Sequence, residues 1–400
     1  MQTMRSRLII GVVLTIPLVA ACGSASTSTS SGSKSPYLLT LGTDLSSDFT
    51  SSCCSIPLAN GFQAYIAHVN SQGGVDGHKI NINVMSDNAD VATGLANFAQ
   101  AEASSSLGFL LQASSNVYTP TVPRAIAAKM VESNGGGYQG GIGVFPYVYN
   151  IFANLPEFTS ILPRFAATLV PNATGSKMAY ISYDSALTET FRKPVASAFT
   201  DEGWTVPYSQ IVPTTDADFS VPASTIASDG VSLIVTDLLV GQLPQFVTQV
   251  RADHVTAPIV EYSANIDDEE KAKIADTNVY YVEQTAPSTD TSNPAIVQMR
   301  AVGNATHFTT GLDDNSFYTE GYVHAEVLVA ALAKCSSGGQ TCNRESFNTA
   351  LNSTTVPGAG LMAGDPGFSP TNHVMTQACI VDHWVSGAAA PQVVSGFGLS

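Results

Sequence analysis

The apolar residues change their spacing within the segment from 58 to 84. Five of them first fall on one face of a helix, with gaps of four, three, one and three positions: Leu58, Phe62, Tyr65, Ile66 and Val69. Gly73 and Gly74 then supply the positive φ angles at which helices commonly end. Three apolar residues next alternate with asparagines, which is the period of a strand: Ile80, Ile82 and Val84. Because an apolar strand from 37 to 41 precedes the helix, the segment predicts a strand–helix–strand unit and a parallel sheet with a right-handed crossover.

The same alternation of strands and helices continues along the rest of the chain. Apolar stretches typical of buried strands are "LGFLLQ", "KMAYISY", "SLIVTD", "APIVEY" and "VYYVEQ". The spacing predicts further helices over 185–199, 242–250, 293–307 and 317–334, and Asp90 is placed to cap another. The pattern predicts an α/β protein with two doubly wound parallel-sheet lobes, and the aromatic stretch "VFPYVYNIFANLPE" predicts a crossing between them. In such sheets, ligands bind beyond the carboxyl ends of the strands.

The first 21 residues have the composition of a secretion signal. Two arginines precede an apolar run from 8 to 21, which is too short for a membrane-spanning helix of about 20 apolar residues. The run ends in "LVAAC", which resembles the bacterial lipobox. We therefore expect Cys22 to carry a lipid and residues 22–36 to form a flexible tether. The alternative is an ordinary signal peptide with a cysteine at this place by chance.

The charge and length exclude some classes of protein. The chain has 400 residues, of which 32 are acidic and 16 are basic. A nucleic-acid-binding protein needs the opposite sign, so we expect no nucleic-acid partner. The length suits two domains.

The histidines lack a metal-ligand spacing, so we expect no metal and no cofactor. The stretch "DDEE" at 267–270 favours a solvated helix start over a metal site.

Six cysteines fit an exported protein in an oxidising compartment. Cys335 and Cys342 bracket the polar turn "SSGGQT" and are the best candidates for a disulfide, which would contribute about 2.5 kcal/mol in the entropic account. Cys53 and Cys54 are adjacent, so a bond between them would be strained. Whether Cys379 pairs with one of them or is simply buried stays open.

Four stretches, in this order and spacing, resemble one family over nearly the whole mature chain: "ANGFQAYIAHVNSQGGVDGHKINI", "KMAYISYDSALTETF" with "FTDEGWTV", "FYTEGYVHAEVLVAAL" and "PGFSPTNHVMTQACIVDHW". The family is that of the branched-chain amino-acid-binding proteins, the type I periplasmic solute-binding proteins of ABC transporters. The resemblance implies two lobes that close on a solute and are joined by three crossings, which we place near Leu155, Pro287 and Pro357.

The resemblance also implies the domain boundaries and the partners. Lobe 1 would comprise residues 37–155 and 288–356, and lobe 2 would comprise residues 156–287 and 357–400. The protein would be a monomer, held by its lipid on the extracellular face of the cell membrane. Its partners would be a small amino-acid-like solute and the permease and ATPase subunits of an ABC importer.

Lobe 1 offers candidate ligand-binding residues at its strand ends. In the family, small hydroxyl residues after one strand bind an α-carboxylate, and Ser114 and Ser115 in "QASSN" match them by position, followed by Asn116. The alternative is that these serines cap a helix. Asn134 opens the stretch "NGGGYQGG", whose glycines allow the backbone to approach a ligand closely.

The remaining candidates lie after the first strand and in lobe 2. The loop "GTDLSSDFTSSCCSIP", with Ser52 and Cys53, is either an anion cradle at the start of a helix or a polar surface loop. In lobe 2, Leu187 stands where the family usually has an aromatic residue. Glu261 ends the strand "APIVE" and either pairs with an ammonium group or is an exposed, solvated carboxylate. Asp237 is a weaker candidate for the same role.

These residues favour a binding protein over an enzyme. The leading hypothesis is a lipid-anchored receptor that delivers an amino acid, or a related amide or carboxylate, to an ABC importer. A sensor with the same fold that reports to a membrane signalling protein is the alternative. A cell-surface hydrolase is disfavoured because the sequence has neither a G-x-S-x-G motif nor a clustered histidine–aspartate set.

Overall fold

The protein is described here from a computed structural model over residues 34–46, 54–135, 145–152, 155–184, 188–239, 241–262, 267–385, 388 and 391–398. The described residues belong to one compact unit that begins at Lys34. The predicted signal, Cys22, Ser52, Cys53 and Leu187 lie outside them. Within the described ranges, no helix combines the length and the apolarity needed to cross a membrane.

The first sheet has five parallel strands in the order β2-β1-β3-β4-β5. The strands are β1 (Lys34–Thr43), β2 (His78–Ser86), β3 (Gly108–Gln112), β4 (Val131–Asn134) and β5 (Val148–Asn150). The helices between them are α1 (Ile56–Ser71), α2 (Val91–Ala103) and α3 (Ser115–Ala128). Residues 34–36, which the sequence assigns to the tether, are thus the first residues of β1.

The second sheet has seven strands in the order β12-β11-β10-β9-β8-β6-β7. The strands are β6 (Lys177–Tyr183), β7 (Thr205–Val212), β8 (Leu233–Asp237), β9 (Ile259–Glu261), β10 (Val279–Glu283), β11 (Ala378–His383) and β12 (Gln392–Gly398). The helices of this part are α4 (Leu155–Leu169), α5 (Thr188–Asp201), α6 (Ser220–Asp229), α7 (Gln242–Ala252) and α8 (Asp268–Ile274). Three more helices follow β10: α9 (Pro294–Thr306), α10 (Ser316–Ser336) and α11 (Arg344–Leu351). The predicted pair of parallel sheets is confirmed, but β11 and β12 add an antiparallel edge.

The predicted change of period after α1 has a simple structural cause. Gly73 and Gly74 have φ angles of 111° and 82°, and the Gly74 N–H donates to the Val69 carbonyl at 3.0 Å. The side-chain amide of Asn70 then pairs with the backbone of Ile80, donating to its carbonyl and accepting from its N–H, both at 2.8 Å. The end of the helix is therefore bonded directly to the strand that follows it.

Helix α10 is buried on nearly all sides and packs closely against α1. A Cβ atom added to Gly61 of α1 would lie 1.9 Å from the Tyr318 carbonyl oxygen, and one added to Gly321 of α10 would lie 2.0 Å from the Leu58 carbonyl oxygen. The two backbones touch because both crossing positions lack a side chain.

The hydrophobic core is divided between the two sheets. One cluster joins the first sheet to α1, α9, α10 and α11, and two others cover the two faces of the second sheet. The first cluster also takes in Leu361, Met362, Phe368 and Met375. These residues lie between Pro357 and β11.

The segments that link the two sheets pair with one another. The Ala286 N–H donates to the Leu361 carbonyl at 2.9 Å, and the Ala363 N–H donates to the Gln284 carbonyl at 2.8 Å. At the end of β5, the Met375 N–H donates to the Asn150 carbonyl at 2.8 Å. The links at 150, 284–286 and 361–375 therefore run side by side.

The cysteines fall into three environments. Cys335 and Cys342 form a disulfide with a Cα–Cα distance of 5.6 Å, which ties the end of α10 to the segment before α11. Cys54 is disulfide-bonded. Cys379 is fully buried in the core of the second sheet.

Candidate functional site

The polar candidates lie at the carboxyl ends of the strands. The first link between the sheets leaves from the end of β5 and the second from the end of β10. Both sheets therefore turn their carboxyl ends toward the links, which is where parallel α/β sheets bind ligands.

Ser114, Ser115 and Asn116 lie where β3 passes into α3. Ser114 is the N-cap residue, and its carbonyl accepts from the N–H groups of Val117 and Tyr118 at 3.1 and 2.8 Å. Its hydroxyl makes no cap hydrogen bond, so capping does not account for this side chain. Ser115 is the first residue of α3, and Asn116 is exposed. The start of α3 thus presents a hydroxyl and the first N–H groups of a helix, which suit an anionic group.

Asn134 is the last residue of β4 and pairs in register with Gln112 of β3. It is buried. A Cβ atom added to the next residue, Gly135, would lie 2.5 Å from the backbone of Leu111, so the chain here approaches β3 as closely as glycine allows. Asn134 and Ser114 therefore lie at the ends of adjacent strands, while residues 136–144 of the glycine-rich stretch lie outside the described residues.

Two further carboxylates of the first sheet were not identified from the sequence. Asp44 and Asp87 directly follow the adjacent strands β1 and β2 and are both buried. Asp87 accepts from the Ala89 N–H at 2.8 Å. Burial raises the pKa of Asp87, and the hydrogen bond from the Ala89 N–H partly offsets this. The signal for these residues was an aspartate directly after each strand.

Asp237 and Glu261 end the adjacent strands β8 and β9 of the second sheet. Glu261 is only 1% exposed, and its Oε2 accepts from the Thr236 hydroxyl and, at 3.2 Å, from the Leu238 N–H. The alternative of an exposed, solvated Glu261 is therefore wrong. Asp237 is 9% exposed. Both carboxylates are buried, and both lie at the carboxyl ends of their strands.

An aromatic group lies beside these carboxylates. Tyr262 directly follows Glu261, and its hydroxyl lies 2.5 Å from that of Tyr180. Its ring packs on Phe158, near the start of α4, at a centroid distance of 5.2 Å and on Phe191, near the start of α5, at 6.1 Å. From the sequence, we expected an aromatic residue at 187, with Tyr183 nearby, and did not identify Tyr262.

The segment "DDEE" is a helix start, as predicted, but it is only partly solvated. Asp267 caps α8 by accepting from the Glu270 N–H at 2.8 Å. Asp268 and Glu270 are buried. Glu270 accepts from the Gly241 N–H at 2.8 Å, so its carboxylate is used to join α8 to the start of α7. The pattern of four consecutive acids gave no signal that two of them point inward.

The arrangement is suited to binding a polar molecule. Hydroxyl and N–H donors lie at the start of α3, and carboxylate acceptors lie at the ends of β8 and β9. Across the described ranges, no group of three or more histidine, cysteine, aspartate or glutamate side chains has the geometry of a metal site.

The comparisons with known proteins agree with this architecture. A family model described as periplasmic binding protein matches residues 41–389. No curated protein matches the sequence. The structure is similar to that of a branched chain amino acid ABC transporter from Thermus thermophilus with bound valine, with 15% identity and a TM-score of 0.78 over 92% of this chain and 98% of that chain.

Two other solved structures show the same fold. A fatty acid ABC transporter substrate-binding protein from Thermomonospora curvata has 17% identity and a TM-score of 0.73, over 91% of this chain and 93% of that chain. A solute binding protein from R. palustris in complex with benzoate has 16% identity and a TM-score of 0.69, over 90% of this chain and 96% of that chain. The sequence-based family assignment is thereby confirmed. Since the family model spans most of the sequence, the chain belongs to the periplasmic binding protein family and has its type I fold.

Proposed function

We propose that this protein is the lipid-anchored solute-binding component of an ABC importer on the extracellular face of the cell membrane. It binds an amino acid, or a related amide or carboxylate, between the carboxyl ends of its two sheets and passes it to the permease. The observation that carries this proposal is the family match over residues 41–389. The polar residues at the strand ends of both sheets support it.

The chemistry of the strand ends supports a solute with two kinds of polar group. Asp237 and Glu261 offer acceptors for an ammonium or amide N–H group. Ser114 and the start of α3 offer donors for a carboxylate or a carbonyl oxygen. The similar structures are a complex with valine, a substrate-binding protein of a fatty acid transporter and a complex with benzoate. This fold therefore leaves the choice of solute to the side chains.

A thermal-shift screen of amino acids, amides, urea and aromatic acids tests this function. A true ligand at 100 times its dissociation constant adds about 2.7 kcal/mol to the stability of the folded state and raises the melting temperature by a few degrees. We expect Ser114→Ala to reduce that shift without lowering the melting temperature of the ligand-free protein, because the hydroxyl makes no cap hydrogen bond. If no compound in the panel raises the melting temperature, the amino-acid-like solute is excluded.

Asp90→Ala is the matched control for that variant. The Asp90 carboxylate caps α2 by accepting from the Thr93 N–H at 2.8 Å and from the Thr93 hydroxyl at 2.7 Å. Its loss should destabilise the ligand-free protein by about 1 kcal/mol and leave the ligand-induced shift unchanged. An equal loss of the shift in both variants would mean that Ser114 acts only through stability.

The anchor is tested by Cys22→Ser. Removing the thiol removes the site of lipid attachment, so the variant should move from the membrane fraction to the culture medium or the soluble fraction. Metabolic labelling with a fatty acid should mark the wild type and not the variant. Retention of the variant on membranes with its fatty-acid label intact would place the anchor elsewhere.

Co-purification from membranes separates delivery of the solute from signalling. We expect the wild type to co-purify with a permease, whereas co-purification with a sensor kinase would favour the sensor.

A further inference from the structure

Lys271 of α8 is fully buried and bonded to three carboxylates, one of which, Glu283, ends β10 beside the end of β9. Its Nζ lies 2.8 Å from Glu283, 3.2 Å from Asp268 and 3.2 Å from Asp382. It also lies 5.0 Å from the ring centre of Tyr281. We name Lys271, Asp268, Glu283 and Asp382 the Lys271 cluster.

The Lys271 cluster carries more negative than positive charge. Its side chains are at most 4% exposed, and one ammonium faces three carboxyl groups. Two excess negative charges would remain if all three were ionised, and burying uncompensated charge is strongly unfavourable. A proton bound by a carboxyl group relieves this imbalance, and the cluster titrates as a unit.

Glu283 is best placed to hold the proton. It binds Lys271 through Oε2, while its Oε1 has no hydrogen-bond partner among the described residues. Tyr281 pairs in register with Asp382, and Glu283 lies two residues further along the same strand, so the carboxyl groups of Glu283 and Asp382 lie on the same face of the sheet. From α10, the carboxyl group of Glu320 also faces Glu283, and its Oε2 has no partner in the described structure.

The Lys271 cluster also joins the second sheet to the segments that pack with the first. The Oδ2 of Asp268 accepts from the N–H and the hydroxyl of Thr289 at 2.9 and 2.7 Å. The Asp268 N–H donates to the Asp314 carbonyl at 3.0 Å, just before α10. Glu283 is the last residue before the link at 284–286. The Lys271 cluster therefore lies next to the link at 284–286 and to the segment before α10, so a change in its charge affects the contacts between the two sheets.

We propose that the Lys271 cluster holds a proton on Glu283 at neutral pH, and that loss of this proton at alkaline pH loosens α8 and the link at 284–290. A deprotonated Glu283 repels Asp382 and Asp268, and the single charge of Lys271 cannot neutralise all three carboxylates. If the protein binds a solute as proposed above, its binding site should loosen as the pH rises. This consequence rests on the proposed function, whereas the loosening of α8 does not depend on it.

The direction of the pH effect follows from the titration of the buried groups. Burial raises the pKa of Glu283 to about 8, and Asp382 and Asp268 add to this while Lys271 opposes it. Burial and the charge of Glu283 raise the pKa of Glu320 well above its usual range. Burial lowers the pKa of Lys271, but the three carboxylates overcome this, so Lys271 stays charged. Because this pKa is raised on folding, binding of a proton by Glu283 stabilises the folded protein. That contribution is fully present below the ordinary pKa of about 4.5 and is lost as the pH rises through the folded-state pKa of about 8.

Hydrogen exchange of the ligand-free, detergent-solubilised full chain tests the proposal. After correction for the intrinsic exchange rate, protection of residues 268–274 and 284–290 should fall about tenfold between about pH 6.5 and pH 9. In Glu283→Gln, which cannot ionise at this position, the fall should be less than about threefold. Asp382→Asn, which removes a carboxylate that raises the pKa of Glu283, should also weaken the pH dependence and serves if Glu283→Gln does not fold.

Glu132→Gln is the matched control. Glu132 is a fully buried carboxyl group of the first sheet, whose pKa burial likewise raises to about 8. This variant should keep the wild-type loss of protection at residues 268–290. The proposal would be overturned if the wild type showed no loss of protection, or if both Glu283→Gln and Asp382→Asn lost as much protection as the wild type. Because no solute is present, this result is independent of whether the ligand screen succeeds.

Discussion

Lys271→Met should destabilise the folded protein by about 3–5 kcal/mol at pH 7. The methionine fills a similar volume but removes the ammonium group that faces Asp268, Glu283 and Asp382. The carboxyl groups would then be buried without a positive partner, so they must bind protons or the helix must open. Urea unfolding followed by circular dichroism measures the loss of stability. The loss should shrink at about pH 5, where protons neutralise part of the cluster.

Lys273→Met, two residues further along the same helix, separates this effect from any general loss of a lysine. Lys273 pairs with Glu269 at 2.9 Å, but both side chains are more than half exposed. Exposed pairs of this kind contribute about 0.3–0.5 kcal/mol. Similar losses in the two variants would show that the buried charge of Lys271 is unimportant for stability. Adding Glu283→Gln to Lys271→Met should recover part of the loss, because the two side chains are in contact.

The local features of the fold were predictable from the sequence. The end of α1 was visible because Gly73 and Gly74 mark it and the apolar period changes directly afterwards. The cap at Asp90 was visible because the side chain bonds a residue only three positions away. The directions of β11 and β12 were not predictable, since a strand's direction depends on which distant strand it pairs with. Apolar alternation is the same in parallel and antiparallel strands.

The candidate site was predictable in position and less so in detail. The sequence places Ser114, Asp237 and Glu261 at strand ends because the residue that ends an apolar run can be read directly. It does not show that Glu261 is buried, since this depends on Thr236 of the adjacent strand. The sequence also does not identify Lys271, because a lysine that follows four acids is typical of the exposed start of a helix. Its burial depends on Glu283 and Asp382, which approach it only once the chain is folded.

The second large effect is expected for Gly61→Ala in α1. Helix propensity alone favours alanine over glycine by about 1 kcal/mol, so an open site would be stabilised. Here the new methyl group would lie 1.9 Å from the Tyr318 carbonyl oxygen and 2.8 Å from its carbonyl carbon. These are backbone atoms of a buried helix, so α10 must move away from α1 as a body. Since overpacking typically costs about 1–3 kcal/mol, and more when backbone must shift, we expect a net loss of at least about 2 kcal/mol in urea unfolding.

Gly94→Ala in α2 makes the same change against a different neighbour. Its methyl group would lie 2.0 Å from the Cγ1 atom of Val117, which is a side-chain atom, so Val117 can rotate without moving a helix. We expect Gly94→Ala to lose clearly less stability than Gly61→Ala. The double variant with Gly61→Ala and Gly321→Ala should lose less than the sum of the single losses, because the first methyl group already separates the helices at the point where Gly321 touches Leu58. A stabilised Gly61→Ala variant would mean that α1 and α10 do not pack through these glycines.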